Sequence, residues 1–169
     1  MIRLVVLDAD GTIWEHSDIS SLSLPFKKID ENTLVDQNGV KIRLFPDVRK
    51  LLKELTARGI IVSMASWNRP DPVFEALGKF NIVSYFTCPI VEFHPNKHEM
   101  MNKLLAHLAA HGVIVKPEEI LYVDDQTIHL EKVRENVGAV NFLQYRVDIS
   151  TLVEVLEFVK KYGKIEKSG

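Results

Sequence analysis

Apolar residues fall along this chain in two alternating patterns. Short runs rich in Val, Ile and Leu occupy residues 2–7, 60–65, 120–123 and 139–143, with a weaker run at 85–91. Each is short and apolar at consecutive positions, the expectation for a strand buried on both faces. Between these runs the apolar spacing changes to three and four. Val48, Leu51, Leu52 and Leu55 share one helical face, opened by Pro46 and closed by Gly59. Met101, Leu104, Leu105 and Leu108 repeat the stripe before Gly112, and Ile149, Leu152, Val153 and Leu156 form a third. Buried strands separated by helices predict a doubly wound, three-layer, Rossmann-like α/β fold, with about five parallel strands. Ligands of such sheets gather outside the carboxyl ends of the strands.

Residues 16–45 break the alternation. The segments 33–36 and 40–44 flank Gln37-Asn38-Gly39, and Asn-Gly is a strong hairpin turn. A small β-hairpin flap inserted after the first strand is expected, placed to cover a site at that edge. With 169 residues the chain fits one domain over 1–169, carrying the flap as an insertion. The polar end, 160–169, is expected to fray.

Composition narrows the partners. Lys and Arg number 21 against 23 Asp and Glu, a net charge of -2, which offers no electrostatic footprint for nucleic acid or an anionic membrane. No apolar run reaches the ~18 residues of a membrane span. The apolar start runs into Asp8 and Asp10 rather than a small-residue cleavage site, and so reads as a strand, not a signal peptide. The lone Cys88 can close no internal disulfide, which points to a reducing, cytoplasmic setting and to a small buried side chain rather than a nucleophile.

The strand ends carry the candidate chemistry. After the first strand stands Asp8-Ala9-Asp10-Gly11-Thr12, after the second Ser66-Trp67-Asn68, and after the fourth Asp124-Asp125. Asn96-Lys97 precedes the helix after the weak third strand. One acidic strand end would be an ordinary turn or cap. Two pairs at two strand ends bring four carboxylates to one edge, and like charges at ~4 Å repel by about 4 kcal/mol at an intermediate effective dielectric. Such a cluster needs a cation or must hold protons, and Mg²⁺ is the usual hard ion where phosphate shares the site. Asn96 and Glu99 have capping-box spacing, which puts Lys97 at the first helical position. A lysine there opposes the helix dipole, so either it reaches an anion or it is a solvated surface residue. Ser66, ahead of Pro70 and Pro72, could cap a helix, or with neighbouring backbone N–H groups bind a phosphoryl oxygen.

In this order the motifs resemble the haloacid dehalogenase superfamily. Asp8-Ala9-Asp10-Gly11-Thr12 matches its DxDGT motif, followed by Ser66, Lys97 and Asp124-Asp125 over nearly the whole chain. The short length, the lack of a cap domain and Trp14 soon after the first motif resemble the small magnesium-dependent phosphatases. The resemblance implies hydrolysis of a phosphate monoester, with Asp8 as nucleophile through an aspartyl-phosphate and Asp10 as acid and base. Mg²⁺ would be held by the Asp8 carboxylate, the Asp10 backbone carbonyl and the Asp124 carboxylate. Ser66, with Trp67 beside it, and Lys97 would bind the phosphoryl group. Asp125 would orient Lys97 or a water, and Thr12 would brace the turn. Trp14, Trp67 and Asn68 are candidates for the leaving-group pocket, with packing under the flap an equal reading of Trp14. Where the small magnesium-dependent phosphatases have a basic residue near Ser66, this chain has Trp67, so a shared substrate is not implied.

His107 and His111 have zinc-ligand spacing but lack a third ligand, and His94 and His98 bracket Lys97; all four read as surface residues. Two other readings stay open: a non-catalytic or regulatory phosphate-binding module, and another phosphotransferase on the same scaffold. An open site would admit a phosphorylated small molecule or an exposed phosphoprotein side chain, or be closed by a second subunit in a homodimer.

Overall fold

The computed structural model describes residues 1–167, with side chains through 162. In chain order the elements are β1 (Leu4–Leu7), β2 (Lys27–Asp30), β3 (Thr33–Val35), β4 (Lys41–Arg43), α1 (Val48–Ala57), β5 (Ile61–Trp67), α2 (Pro70–Lys79), β6 (Ile90–Glu92), α3 (Lys97–Ala110), β7 (Ile120–Asp124), α4 (Leu130–Asn136), β8 (Asn141–Gln144) and α5 (Val153–Lys167). Five strands form one sheet in the order β6-β5-β1-β7-β8, every neighbour parallel. The chain steps outward from β1 to β6, then crosses back to β7. The reversal falls between β1 and β7, where doubly wound sheets open a crevice for ligands. Leu7 lies opposite Met64 and Val123, and the Asp8 N–H continues that ladder to the Val123 carbonyl at 2.9 Å. Asp8 and Asp124 therefore emerge at the same level of the sheet.

Strand alternation divides the core. Val5 and Leu7 join Val62, Met64, Leu121 and Val123 under the apolar stripes of α1 and α5. Leu4, Val6 and Tyr122 face the other way, against Met100, Met101, Leu104 and Leu108 of α3. Burying each such aliphatic side chain contributes about 1.5–3 kcal/mol, which fixes the strand ends relative to one another.

Several expectations need correction. The inserted segment forms three antiparallel strands, β2-β3-β4, rather than two. Thr33↔Arg43 to Val35↔Lys41 pair as foreseen, and Asp36 Oδ1 closes the turn by accepting the N–H groups of Asn38 and Val40 at 2.9 and 2.8 Å. Phe26, Leu34 and Ile42 enter the main core, so this sheet packs on the body instead of lying over the site. Helix α5 begins only at Val153, because the Glu154 carboxylate accepts the N–H groups of Ser150 and Thr151, both at 2.7 Å, and turns the chain there. Ile149 is buried in a bridge to Tyr145 instead. The helix continues to Lys167, so the expected fraying does not describe 160–167; residues 168 and 169 lie outside the described residues. Cys88 is only partly buried, and burial pushes its thiol up, away from nucleophilic chemistry.

Candidate active site

The turn after β1 sets the first two carboxylates on different courses. Gly11 adopts φ +72, a left-handed conformation that glycine tolerates. Its N–H reaches back to the carbonyls of Trp14 and His16. This folds residues 8–16 into a tight loop in which Asp8 points along the sheet edge and Asp10 points aside. Thr12 is fully buried, and its hydroxyl accepts the Asp125 N–H at 3.1 Å, tying the β1 turn to the end of β7. Its contacts to the Asp8 and Asp125 carboxylates are longer, 3.3 and 3.5 Å.

Asp10 is held by donors from three directions. Trp14 Nε1 donates to Oδ1 at 2.8 Å, the Ile19 N–H reaches both oxygens at 3.3 Å, and Asn68 Nδ2 donates to Oδ2 at 3.0 Å. Burial pushes its acid above the ordinary carboxylate range, and these donors pull in the opposite direction without cancelling it. Asn68 also donates to Ser66 Oγ at 2.8 Å. Ser66 itself is fully buried at the end of β5, and among the described residues its own O–H has no acceptor. The amides beside Ser66 are engaged elsewhere: the Asn68 N–H pairs with the Glu92 carbonyl, and the Arg69 N–H with Ser20 Oγ. The expectation that such amides are free to bind a phosphoryl oxygen fails for these two.

Lys97 is the first residue of α3, as its position in the sequence suggests, but the Asn96 side chain makes no cap. Its ammonium turns away from the helix, only 3% exposed, and bridges Asp8 Oδ1 at 2.5 Å and Asp124 Oδ2 at 2.8 Å. The Tyr122 hydroxyl donates to the same Asp124 oxygen, and the Gln126 N–H to its Oδ1 at 3.0 Å. Although burial opposes it, Lys97 and these donors hold Asp124 below the ordinary range. Burial dominates at Asp8 and raises it well above, with Lys97 acting against that shift and Asp124 adding to it. Lys97 is kept above its usual value by both carboxylates despite its own burial.

Asp8, Asp124 and Asp125 can each offer a carboxylate oxygen within 4.8 Å of the others. With all three carboxylates ionised, the one ammonium of Lys97 would leave two excess negative charges, which a divalent cation would neutralise. The donors are all oxygen, suited to a hard ion such as Mg²⁺. Asp125 thus stands within the cluster rather than behind it. The Asp10 carboxylate lies outside it.

A cavity of about 290 Å³ opens over this cluster, lined by Asp8, Asp10, Lys97, Asp124 and Asp125 together with Trp67 and Asn68. Trp67, 47% exposed, stands at its mouth with the exposed Ile128. Trp14 does not line the cavity. It is fully buried near Phe80 and serves Asp10 through its indole N–H. Of residues 16–45 only Ser17 reaches the lining. Gln126, Ile128 and His129, also in the lining, escaped the sequence reading; their signal was their place in the loop after the Asp124-Asp125 strand end. His107 and His111 lie ring to ring at a tilt, 4.4 Å between centres, and among the described residues they belong to no group of three potential metal ligands.

Residues 1–145 match the sequence model of the family described as Acid Phosphatase. Human magnesium-dependent phosphatase 1 is 31% identical over 85 residues, covering 50% of this chain and 48% of that protein, so the match spans about half of its length. A solved haloacid dehalogenase superfamily hydrolase from Ehrlichia chaffeensis superposes with a TM-score of 0.67 at 15% identity, over 95% of this chain and 98% of that one. The 3-deoxy-D-manno-octulosonate 8-phosphate phosphatase of Moraxella catarrhalis, solved with magnesium, phosphate and its sugar, gives 0.56 at 17% identity over 95% and 86%. At such identities the two structures speak for the fold alone. With the family model covering most of the chain, the chain belongs to the acid phosphatase family; half of it resembles magnesium-dependent phosphatase 1, and its fold is like that of the haloacid dehalogenase superfamily hydrolase.

Proposed function

We propose that this chain is a Mg²⁺-dependent phosphatase that hydrolyses a phosphate monoester through an aspartyl-phosphate on Asp8. One observation carries the reading: two carboxylates two residues apart are prepared differently. Asp8 lies in the charged cluster against Lys97, while Asp10 is held outside it by Trp14, Ile19 and Asn68. A nucleophile must be ionised and a general acid protonated, and separate environments are how one site provides both.

Asp8 and Asp124 would hold Mg²⁺ with the Asp10 backbone carbonyl, and Asp125 is close enough to join them. A bound divalent cation offsets the negative charge that otherwise keeps a carboxylate from an anionic ester. Lys97 acts in the same sense at Asp8, favouring the ionised form against burial. An Asp8 oxygen attacks phosphorus, the bond from phosphorus to the leaving oxygen breaks with its electron pair on that oxygen, and Asp10 supplies the proton. The ionised Asp10 then takes a proton from water as its oxygen bonds to phosphorus. The bond between phosphorus and Asp8 breaks, releasing phosphate and the Asp8 carboxylate. Among the described residues Lys97 is the one Lys or Arg lining the cavity and would meet the phosphoryl oxygens, while Ser66 lies fully buried behind the lining, next to Trp67 and two positions before Asn68, and would have to be reached from there. Thr12 braces the turn that spaces the two acids.

Trp67 and Ile128 offer apolar surface to the leaving group at an open mouth, compatible with a phosphorylated small molecule or an exposed phosphoprotein side chain. The test is hydrolysis of p-nitrophenyl phosphate with Mg²⁺ and with EDTA, in the wild-type chain and Asp8→Asn. Turnover that needs the metal and vanishes in the variant supports the reading. Turnover indifferent to EDTA overturns it, and no turnover with any aryl or alkyl phosphate would favour a binding module instead.

A further inference from the structure

Asn68 lies 2% exposed where the β5 end, the β1 turn and the 3-10 turn Ile19–Ser21 meet. With Asp10 ionised, its hydrogen bonds form a chain of one consistent direction. The Arg69 backbone N–H can only donate, and it donates to Ser20 Oγ at 2.8 Å. The Ser20 hydroxyl therefore turns its proton to Asn68 Oδ1, 2.6 Å away. With its oxygen occupied, the Asn68 carboxamide faces inward with both hydrogens: one to Asp10 Oδ2 at 3.0 Å, the other to Ser66 Oγ at 2.8 Å. With Asp10 ionised, a flipped amide would set an oxygen against its carboxylate and leave the Ser20 proton without an acceptor. Ser66, having accepted from Asn68, keeps its own proton to give.

We propose that Asn68 is a positioning residue, oriented by Ser20, that fixes the proton-transfer carboxylate of Asp10 and, by donating to Ser66 Oγ, sets the orientation of the Ser66 hydroxyl beneath it. This rests on the phosphatase reading above. Asn68 is 2% exposed, so its amide is held by these partners, and removing it leaves Asp10 Oδ2 and Ser66 Oγ each short of a protein donor. Trp14 holds Asp10 from the β1 turn, Ile19 from the inserted segment and Asn68 from just past the end of β5, so Asp10 is clamped between three parts of the fold.

The role predicts a particular kinetic pattern. The quantity kcat/KM reports the steps through phosphoryl transfer to Asp8. At that stage a general acid matters little for a good leaving group such as p-nitrophenolate and much for an alkoxide. Losing Asn68 therefore harms an alkyl phosphate more than an aryl phosphate. A residue that merely supports the fold would lower both alike.

The experiment measures kcat/KM with Mg²⁺ for p-nitrophenyl phosphate and for ethyl phosphate in the wild-type chain, Asn68→Asp, Asn68→Ala and Ser20→Ala. Asn68→Asp keeps the shape and the acceptor for Ser20 and removes both donors. Both Asn68 variants are expected to lose about 10-fold on the aryl ester and about 100-fold on the alkyl ester. Ser20→Ala, which leaves Asn68 in place but frees its amide, should show the same bias at about threefold. Equal losses on the two esters, or a fully active Asn68→Asp, overturn the proposal while leaving the phosphatase reading intact. If the Asn68 variants do not fold, Ser20→Ala decides, and an unchanged ester ratio counts against the role. A wild-type chain that hydrolyses neither ester overturns the phosphatase reading and this proposal with it.

Discussion

Replacing Gly11 by Ala separates the two demands made at the turn after β1. The backbone there has φ +72, and a Cβ built on it would lie 2.5 Å from Asp125 Oδ2 and 2.9 Å from Cγ. The left-handed conformation alone costs a non-glycine residue about 1–2 kcal/mol. At this chain length that lowers Tm by roughly 2–8 °C. The clash adds a second effect. Ordinary contact begins near 3.4 Å, so the Asp125 carboxylate must retreat by almost an ångström. Its backbone is pinned by Thr12, and the displacement falls on the side chain, which belongs to the acidic cluster. Misplacing such a group should reduce activity by about 10- to 100-fold. Gly112→Ala supplies the control, since Gly112 has φ +82 with open space around it and lies beyond α3. Thermal melts and kcat/KM against Mg²⁺ concentration should show comparable destabilisation in both variants and lost activity in Gly11→Ala alone. If Gly11→Ala keeps kcat/KM and Mg²⁺ dependence while melting like Gly112→Ala, the placement of Asp125 is not what the glycine protects.

Other parts of the molecule yield sharper single measurements. Tyr122→Phe removes the hydroxyl that donates to Asp124 and should raise the half-saturating Mg²⁺ concentration about tenfold, with little change once metal saturates; an unchanged Mg²⁺ titration would contradict this. Leu34→Ala, in β3, should cost about 2–5 kcal/mol because Leu34 is fully buried in the main core, and should leave KM unaltered. A KM change without loss of stability would instead restore a lid role to this sheet. The N–H groups of Thr151 and Ser150 hold the Glu154 carboxyl below its usual range. Stability from that depressed acid is complete above the unfolded value of about 4.3 and is lost as pH falls through the lower folded value. The Tm gap between wild type and Glu154→Gln should therefore close in strong acid, and a gap that persists there would show that the carboxylate charge is not responsible.

The parallel sheet was legible because its strands are continuous apolar runs, and the order of Asp8, Ser66, Lys97 and Asp124 follows from strand ends meeting at one edge. What the sequence concealed depends on burial or on distant partners. All four residues of β2 are exposed, so no alternation marks it. The short helix α4 buries only Val133, too little for a periodic stripe. Leu34 and Ile42 read as a flap because nothing local says which face they bury; the core contacts come from residues far along the chain. Asn68 was foreseen as a pocket wall, yet its bonds reach Ser20 and Asp10, 48 and 58 positions away. Trp14 was open to two readings, pocket wall or packing residue, for a related reason: an indole can pack and donate together, and only the fold brings Asp10 under its N–H.

The central claim is that phosphorus passes through Asp8. Mixing the enzyme with Mg²⁺ and a phosphate ester, quenching in acid within a turnover and mapping the digested chain by mass spectrometry tests it directly. The account predicts one phosphoryl group on the peptide containing Asp8, acid-stable but released by hydroxylamine, and absent in Asp8→Asn. A phosphoryl group on another residue, or undiminished turnover in Asp8→Asn, would contradict it.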